Sequence, residues 1–173
     1  MLSKKMLDAL NGQINKEMYS AYLYMAMSAY SQYTGLKGFS NWFYVQYQEE
    51  MEHAMRIYNY IHGQGGQVQL KAIEQPPADF GLPMEMFEAT LKHEQFITKS
   101  IHQLVDLAIA EKDHATQIFL QWFVTEQIEE ESNDNEIIDK LKLIGKDGNG
   151  LFMLDKELGT RVFVPKLGAE QNP

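Results

Sequence analysis

No cysteine occurs among the 173 residues, so disulfide frameworks and thiolate metal sites are both excluded. Long hydrophobic runs are missing too: nothing approaches the ~20 consecutive apolar residues that a membrane-spanning helix needs. The opening Met1-Leu2-Ser3-Lys4-Lys5-Met6 turns polar at Asp8. It carries neither the apolar stretch nor the cleavage site of a secretory signal, and the expectation is a cytoplasmic protein. Positive charge is scarce, with 15 Lys and Arg against 24 Asp and Glu and a net charge of −9. That balance disfavours nucleic acid as a partner, because phosphates reward basic surfaces, and it suits a chain that attracts cations. What the chain does have is apolar content, 45% of residues, which excludes a disordered chain and allows one domain with a sizeable core.

Four long segments repeat apolar residues at helical spacing. The first is expected from Ser3, a suitable N-cap, to Tyr33, ending at Thr34-Gly35. Its stripe reads Leu10, Ile14, Glu17, Ala21, Tyr24, Ser28. The second is expected from Gly38 to His62, with the stripe Phe39, Phe43, Gln46, Glu50, His53, Ile57, Tyr60. The third begins near Pro83, since proline suits the first helical position, with Phe87, Leu91, Glu94, Thr98, Ile101, Val105, Ala108 on one face. The fourth starts at Asp113, another N-cap, and ends near Ile144-Gly145, with Leu120, Phe123, Gln127, Glu130, Asp134, Ile137, Leu141 on its stripe. Between the second and third, Gly65 to Leu82 has no helical period and contains Pro76, Pro77 and Gly81. At up to ~3.3 Å per residue such a stretch can run the length of a helix and join parallel helices, a known four-helix-bundle connection. A turn at Gly148-Asn149-Gly150 and a short helix from Leu151 to Leu158 follow. Residues 1–160 are thus expected to form one all-α bundle and 161–173 an irregular tail.

Polar residues interrupt these apolar stripes in a repeated pattern. Glu17, Glu50 and His53 recur at a single offset of 77 positions as Glu94, Gln127 and Glu130. The first two segments and the next two are therefore two copies of one helical hairpin. Packed about a pseudo-twofold axis, they bring four carboxylates, an imidazole and an amide into one layer. Residues three apart, such as Glu50 and His53, share a helix face. Ionised carboxylates left dry and unpaired would cost many kcal/mol, against a total stability of ~5–15 kcal/mol. Protonation is one relief, because burial raises a carboxyl pKa. Basic counter-charges are another, but none of the four stripes contains Lys or Arg. Two divalent cations would neutralise all four carboxylates. Oxygen ligands with one imidazole suit iron or manganese, and zinc would also fit. Glu50, beside His53, is the natural bridging ligand.

With these residues in view, the chain resembles the ferritins, and among them the bacterial non-haem ferritins, over nearly its whole length. Ferritin-like di-iron bundles use two Glu and two Glu-x-x-His motifs; here Gln127-x-x-Glu130 replaces the second Glu-x-x-His, as is typical of ferritins. The resemblance implies a first iron held by Glu17, Glu50 and His53. It implies a second held by Glu50, Glu94 and Glu130, with Gln127 close by. It further implies oxidation of ferrous iron by dioxygen or peroxide, and storage of the ferric product in a hollow shell of twenty-four like subunits. Glu49, Glu126 and Glu129 would form a third iron site with Glu130, and Glu49 and Glu126 are related by the same 77 offset. Tyr24, two turns beyond Glu17, would be a redox-active tyrosine, while Trp122 is read as packing. His62, His93, His102 and His114 have no ligand spacing and are read as surface or satisfied residues. The acidic threefold channel of animal ferritins is not expected, because Gln117 and Leu120 stand at its positions.

Two other readings compete. A bacterioferritin-like haem store would use Met51, but the fourth segment lacks the bacterioferritin histidine, and no haem is expected. A signalling bundle without chemistry would place its charges outward, which the stripes contradict. No membrane partner is expected.

Overall fold

The structure, a computed structural model, describes residues 1–166. Among these residues it holds five helices and no strand: α1 (Lys4–Tyr33), α2 (Lys37–Gly63), α3 (Pro83–Ala110), α4 (His114–Ile144) and α5 (Gly148–Leu158). Among the described residues, no helix is long and apolar enough to cross a membrane.

The helix ends follow the local chemistry. The Ser3 side chain accepts from the Met6 amide at 3.0 Å and opens α1. The Asp113 side chain accepts from the Thr116 amide at 3.0 Å and opens α4. Pro83 starts α3, and the Leu82 amide just before it donates to Glu85 Oε2 at 2.7 Å. Gly145 closes α4 at φ 59°, a left-handed conformation that favours glycine. The last helix corrects an expectation. Gly148-Asn149-Gly150 forms its first turn rather than a preceding loop, because the Asp147 side chain accepts from the amides of Asn149 and Gly150, both at 3.1 Å. Such a cap satisfies two otherwise orphaned donors and overrides the poor helix propensity of glycine.

Helix α1 packs along α2 and α3 along α4, the two hairpins meet, and α5 lies chiefly against the start of α2. The crossover runs beside α1: Asn11 exchanges hydrogen bonds with Gln67 and Gln69, Asn15 donates to the Ala72 carbonyl at 3.1 Å, and the Tyr30 hydroxyl donates to the Gly81 carbonyl at 3.2 Å. At the α2–α5 contact, Asp155 Oδ1 accepts from the Gly38 and Phe39 amides at 2.8 and 3.1 Å. A Cβ on Gly38 would sit 1.5 Å from the Asp155 carbonyl oxygen, so the backbones touch only because residue 38 has no side chain. The interior forms two apolar clusters. One is built around Tyr24, Phe39, Phe43 and Phe87, the other around Leu10, Ile14, Ile57 and Ile101. The polar layer lies between them on all four long helices.

Candidate metal centre

All six residues of the repeat are buried: Glu17, Glu50, His53, Glu94, Gln127 and Glu130 are each at most 3% exposed. They differ in how their polar atoms are satisfied. Glu17 Oε1 accepts from Gln13 Nε2 at 2.9 Å, while its Oε2 accepts from no N–H or alcohol group among the described residues; the Glu17 carboxyl instead lies against that of Glu50, with which it can share a proton. Neither oxygen of Glu50 accepts from an N–H or alcohol group among the described residues, and His53 Nδ1 stands 3.4 Å from Glu50 Oε2. Glu94 is well held: the Tyr24 hydroxyl donates to Oε1, and Gln127 Nε2 donates to Oε2 at 3.0 Å. Glu130 Oε2 accepts from Gln46 Nε2 at 2.6 Å.

Two triads place one ligand atom from each member within 4.8 Å of the others: Glu17, Glu50 and His53, and His53, Glu126 and Glu130. The first is the group expected for a first ion. In the second, Glu130 gathers with His53 and Glu126; Glu94 belongs to neither triad and is turned to Tyr24 and Gln127 instead. Orphaned buried carboxylate oxygens beside an imidazole form a donor set that fits a divalent cation such as ferrous iron.

The electrostatics carry the same message. Burial pushes the Glu50 carboxyl well above the ordinary range, and the charges of Glu94, Glu17 and Glu130 push it further. Burial also raises Glu17, against the opposing pull of His53 and the Gln13 bond. Glu94 is raised to about 7 by burial, in spite of its bonds from Tyr24 and Gln127. Glu130 is raised to about 8 by burial and then by Glu94 and Glu49. Each carboxyl resists ionising unless a cation is nearby.

The residues expected for a third site are brought together, but around the protein's own cations. Arg161 Nη2 donates to Glu49 Oε2 at 2.6 Å. The Lys166 ammonium bonds Glu126 and lies 3.8 Å from Glu129 Oε2. Glu126 is buried, only 6% exposed, although it lies off the apolar stripe, whereas Glu129 is exposed. The counter-charges that the four stripes lack therefore come from the segment after α5. Residues 161–166 carry no helix, yet they are tied to α2. Asn41 donates to the Arg161 carbonyl at 2.9 Å, Arg56 donates to the Lys166 carbonyl at 3.2 Å, and the Lys166 amide donates to Glu52 Oε2 at 3.0 Å. The rest of the expected tail, 167–173, lies outside the described residues.

Tyr24 is fully buried, and burial together with Glu94 holds its hydroxyl well above its ordinary pKa. Trp122 stands edge-on to His53 at 5.3 Å, under the Arg56 guanidinium at 3.8 Å. Met51 is half-buried. His62, His102 and His114 are exposed. His93 is satisfied by the Ser20 hydroxyl at 2.8 Å and is lowered to about 4 by burial.

Five polar residues around the centre are absent from the expected set: Gln13, Gln46, Asp134, Arg161 and Lys166. Asp134 is 1% exposed, its Oδ2 has no partner, and it is raised to about 9 by burial and then by Glu94 and Glu130. The sequence did hold a signal for it. Asp134 lies on the fourth stripe, and the residue 77 positions earlier is Ile57, an ordinary core side chain. Gln46 likewise sits on a stripe. Arg161 and Lys166 follow the last periodic residue, where no pattern marks them.

A two-hairpin bundle with buried acids on all four helices defines a class of metal-handling protein, and comparison with known proteins narrows it. The ferritin-like domain profile matches residues 7–144, and the chain belongs to the ferritin family. It is 44% identical to the bacterial non-heme ferritin of Staphylococcus aureus (strain MRSA252) over 163 residues, covering 94% of this chain and 98% of that protein. It is 44% identical to the bacterial non-heme ferritin of Campylobacter jejuni over 156 residues, covering 90% of this chain and 93% of that protein. Among solved structures it is similar to the open-pore ferritin of Archaeoglobus fulgidus, at 51% identity and a TM-score of 0.93, covering 94% of this chain and all of that one. A form of that ferritin engineered to be closed matches with a TM-score of 0.94 over 95% of this chain.

Proposed function

We propose that the protein is an iron-storage ferritin and that the buried centre is its ferroxidase site, with ferrous iron as substrate. One observation carries this reading: three buried carboxylate oxygens, on Glu17 and Glu50, accept from no N–H or alcohol group among the described residues, crowd against one another and lie beside His53. Glu17, Glu50 and His53 hold one ferrous ion. Glu50, Glu94 and Glu130 hold a second, with Gln127 alongside. Each ion gives up one electron. Dioxygen takes both electrons and two protons to become hydrogen peroxide; peroxide as oxidant takes the same two electrons and two protons to become water. Two ions acting together avoid a free one-electron oxygen radical, and hard carboxylate ligands favour the ferric product. Tyr24 can act as a further electron donor, because the proton released on its oxidation has an acceptor in Glu94.

Glu49, Glu126 and Glu129, with Glu130, form a third iron position, and an ion there must displace the Lys166 ammonium from Glu126. The ferric product is stored as mineral inside a hollow homo-oligomeric shell of twenty-four subunits. Exposed apolar side chains such as Phe152, Met153, Val162 and Val164 offer surface that assembly would cover. Residues 1–160 form the functional unit, and the segment 161–166 supplies cations to its edge through Arg161 and Lys166.

The test is aerobic ferrous titration with oxygen uptake, counting iron oxidised per subunit in the fast phase. Two ions per subunit support the paired centre; no fast phase defeats it. Size-exclusion chromatography under native conditions checks the shell, and elution only as monomer or dimer argues against storage.

A further inference from the structure

Two glutamine side chains reach the centre from opposite sides, and each is backed by a cation. On one side, Gln13 Nε2 donates to Glu17 Oε1 at 2.9 Å, and Ser100 Oγ donates to Gln13 Oε1 at 2.5 Å. The Lys16 ammonium in turn donates to Ser100 Oγ. On the other side, Gln46 Nε2 donates to Glu130 Oε2 at 2.6 Å, while Arg161 Nη1 donates to Gln46 Oε1 at 2.6 Å. Arg161 is itself fixed by Glu49 and by the face of Trp42, 4.6 Å from the ring centre. Gln13, Gln46 and Ser100 are buried, whereas Lys16 and Arg161 are half-buried and mark the outer ends.

The direction of every bond is dictated by donor count. Ammonium and guanidinium groups only donate. Ser100 Oγ, having accepted from Lys16, has a single proton to pass inward. Each glutamine carbonyl is thus claimed from outside, and only its NH2 can face the carboxylate. A flipped amide would set NH2 against a cation or a hydroxyl proton, which fails at the outer end, and carbonyl oxygen against carboxylate oxygen, which fails at the inner end once the carboxyl is ionised to hold a cation. The cation at the outer end therefore fixes an amide orientation that sequence alone leaves open. An NH2 group engages one carboxylate oxygen and leaves the other to be presented. At Glu17 this division is visible: Oε1 accepts from Gln13, and Oε2 accepts from no N–H or alcohol group among the described residues.

We propose that Lys16–Ser100–Gln13 and Arg161–Gln46 are two positioning relays that hold Glu17 and Glu130 as one-oxygen ligands. The first relay governs the ion at Glu17, Glu50 and His53; the second governs the ion at Glu130. Residues oriented through hydrogen bonds to a ligand commonly change metal affinity by about 10- to 100-fold, and here the two effects are separable by site. The inference rests on the reading of these carboxylates as iron ligands.

Anaerobic titration with Co(II), followed by its visible absorption bands, tests it. Ser100→Ala and, as a second variant, Lys16→Met weaken the first ion by about tenfold and change its band shape, while the second ion keeps its wild-type constant. Arg161→Gln does the reverse, and Arg161→Lys, which keeps a donor, recovers most of the loss. Circular dichroism melts confirm that each variant is folded. Unchanged constants and bands in all the variants overturn the relays and leave the ligand assignment standing. Equal weakening of both ions in any variant overturns the site-selective pairing. If the wild-type protein binds no Co(II), or Glu50→Ala binds it as the wild type does, the ligand assignment fails and takes the relays with it.

Discussion

The two helical hairpins place corresponding residues at one offset, yet they treat buried charge in opposite ways. In the α1–α2 half, Glu17 and Glu50 leave three oxygens that accept from no N–H or alcohol group among the described residues. In the α3–α4 half, Glu94 is held by Tyr24 and Gln127, Glu130 by Gln46, and Glu126 by Lys166. That second half also carries one acid more, Asp134, where the first has Ile57. A repeated hairpin therefore supplies the positions of the buried polar groups, but not their charge balance. The first half leaves its paired acids for a cation to complete, whereas in the second the protein itself holds Glu94, Glu126 and Glu130 and leaves an orphaned oxygen on Asp134. The contrast is energetic: an orphaned carboxylate is costly without a cation and favourable with one, whereas a hydrogen-bonded carboxylate changes less between the two states.

The strongest way to break this contrast is to empty the first half. Glu50→Ala is expected to slow rapid ferrous oxidation by roughly 100-fold or more while the bundle stays folded. Stopped-flow oxidation at the native rate would remove Glu50 from the site. The buffering of the second half is probed by Lys166→Gln. Loss of the ammonium beside Glu126 is expected to tighten a third divalent ion by on the order of tenfold and to leave the first two unchanged. Equilibrium dialysis with Zn(II) reads both.

Asp134→Asn sharpens the comparison by removing the surplus acid at nearly constant volume. Its carboxyl is raised to about 9, so between the unfolded value and that pH the folded chain holds a proton that the unfolded chain gives up. The variant is expected to gain about 1–3 kcal/mol at pH 9 and nothing at pH 4, as measured by urea unfolding. An equal gain at both pH values would contradict the burial argument.

The smallest effect is on the metal-free wild type. Glu94 and Glu130 are raised to about 7 and about 8. A raised folded pKa means that the stabilisation is complete below the unfolded carboxyl value and lost as pH climbs through the folded one. The melting temperature of metal-free protein should therefore fall between about pH 5 and 8, and a divalent ion should restore more at the upper end than at the lower. A melting temperature that rises over this window would reverse the sign and reject the assignment.

Much of the fold was legible because its signals are local and periodic. Ser3 and Asp113 cap helices as their chemistry requires, and the stripes bury Leu10, Ile14, Phe43 and Phe123 as the period demands. The acids of the centre stood out because they break that period. Where the reading fell short, the signal was not periodic. Gly148 begins α5 only because Asp147 folds back onto it, a choice between turn and helix that glycines leave open. Arg161 and Lys166 reach Glu49 and Glu126 across more than a hundred and about forty positions of sequence respectively, and nothing near them announces the partner. Gln13 was hidden for another reason: it lies one turn before Glu17, and its meaning comes from Ser100 across the bundle, which Lys16 of its own helix backs.

The close fit of α5 onto Gly38 gives the molecule an order in time. A growing chain that has emerged only through α4 already possesses both hairpins, but Arg161 has not yet been delivered to Gln46, so the amide that donates to Glu130 is present without the contact that fixes its orientation. Maturation of the centre is thereby deferred until the last short helix docks, and a side chain as small as a methyl at residue 38 would stall that final step after the four long helices had assembled.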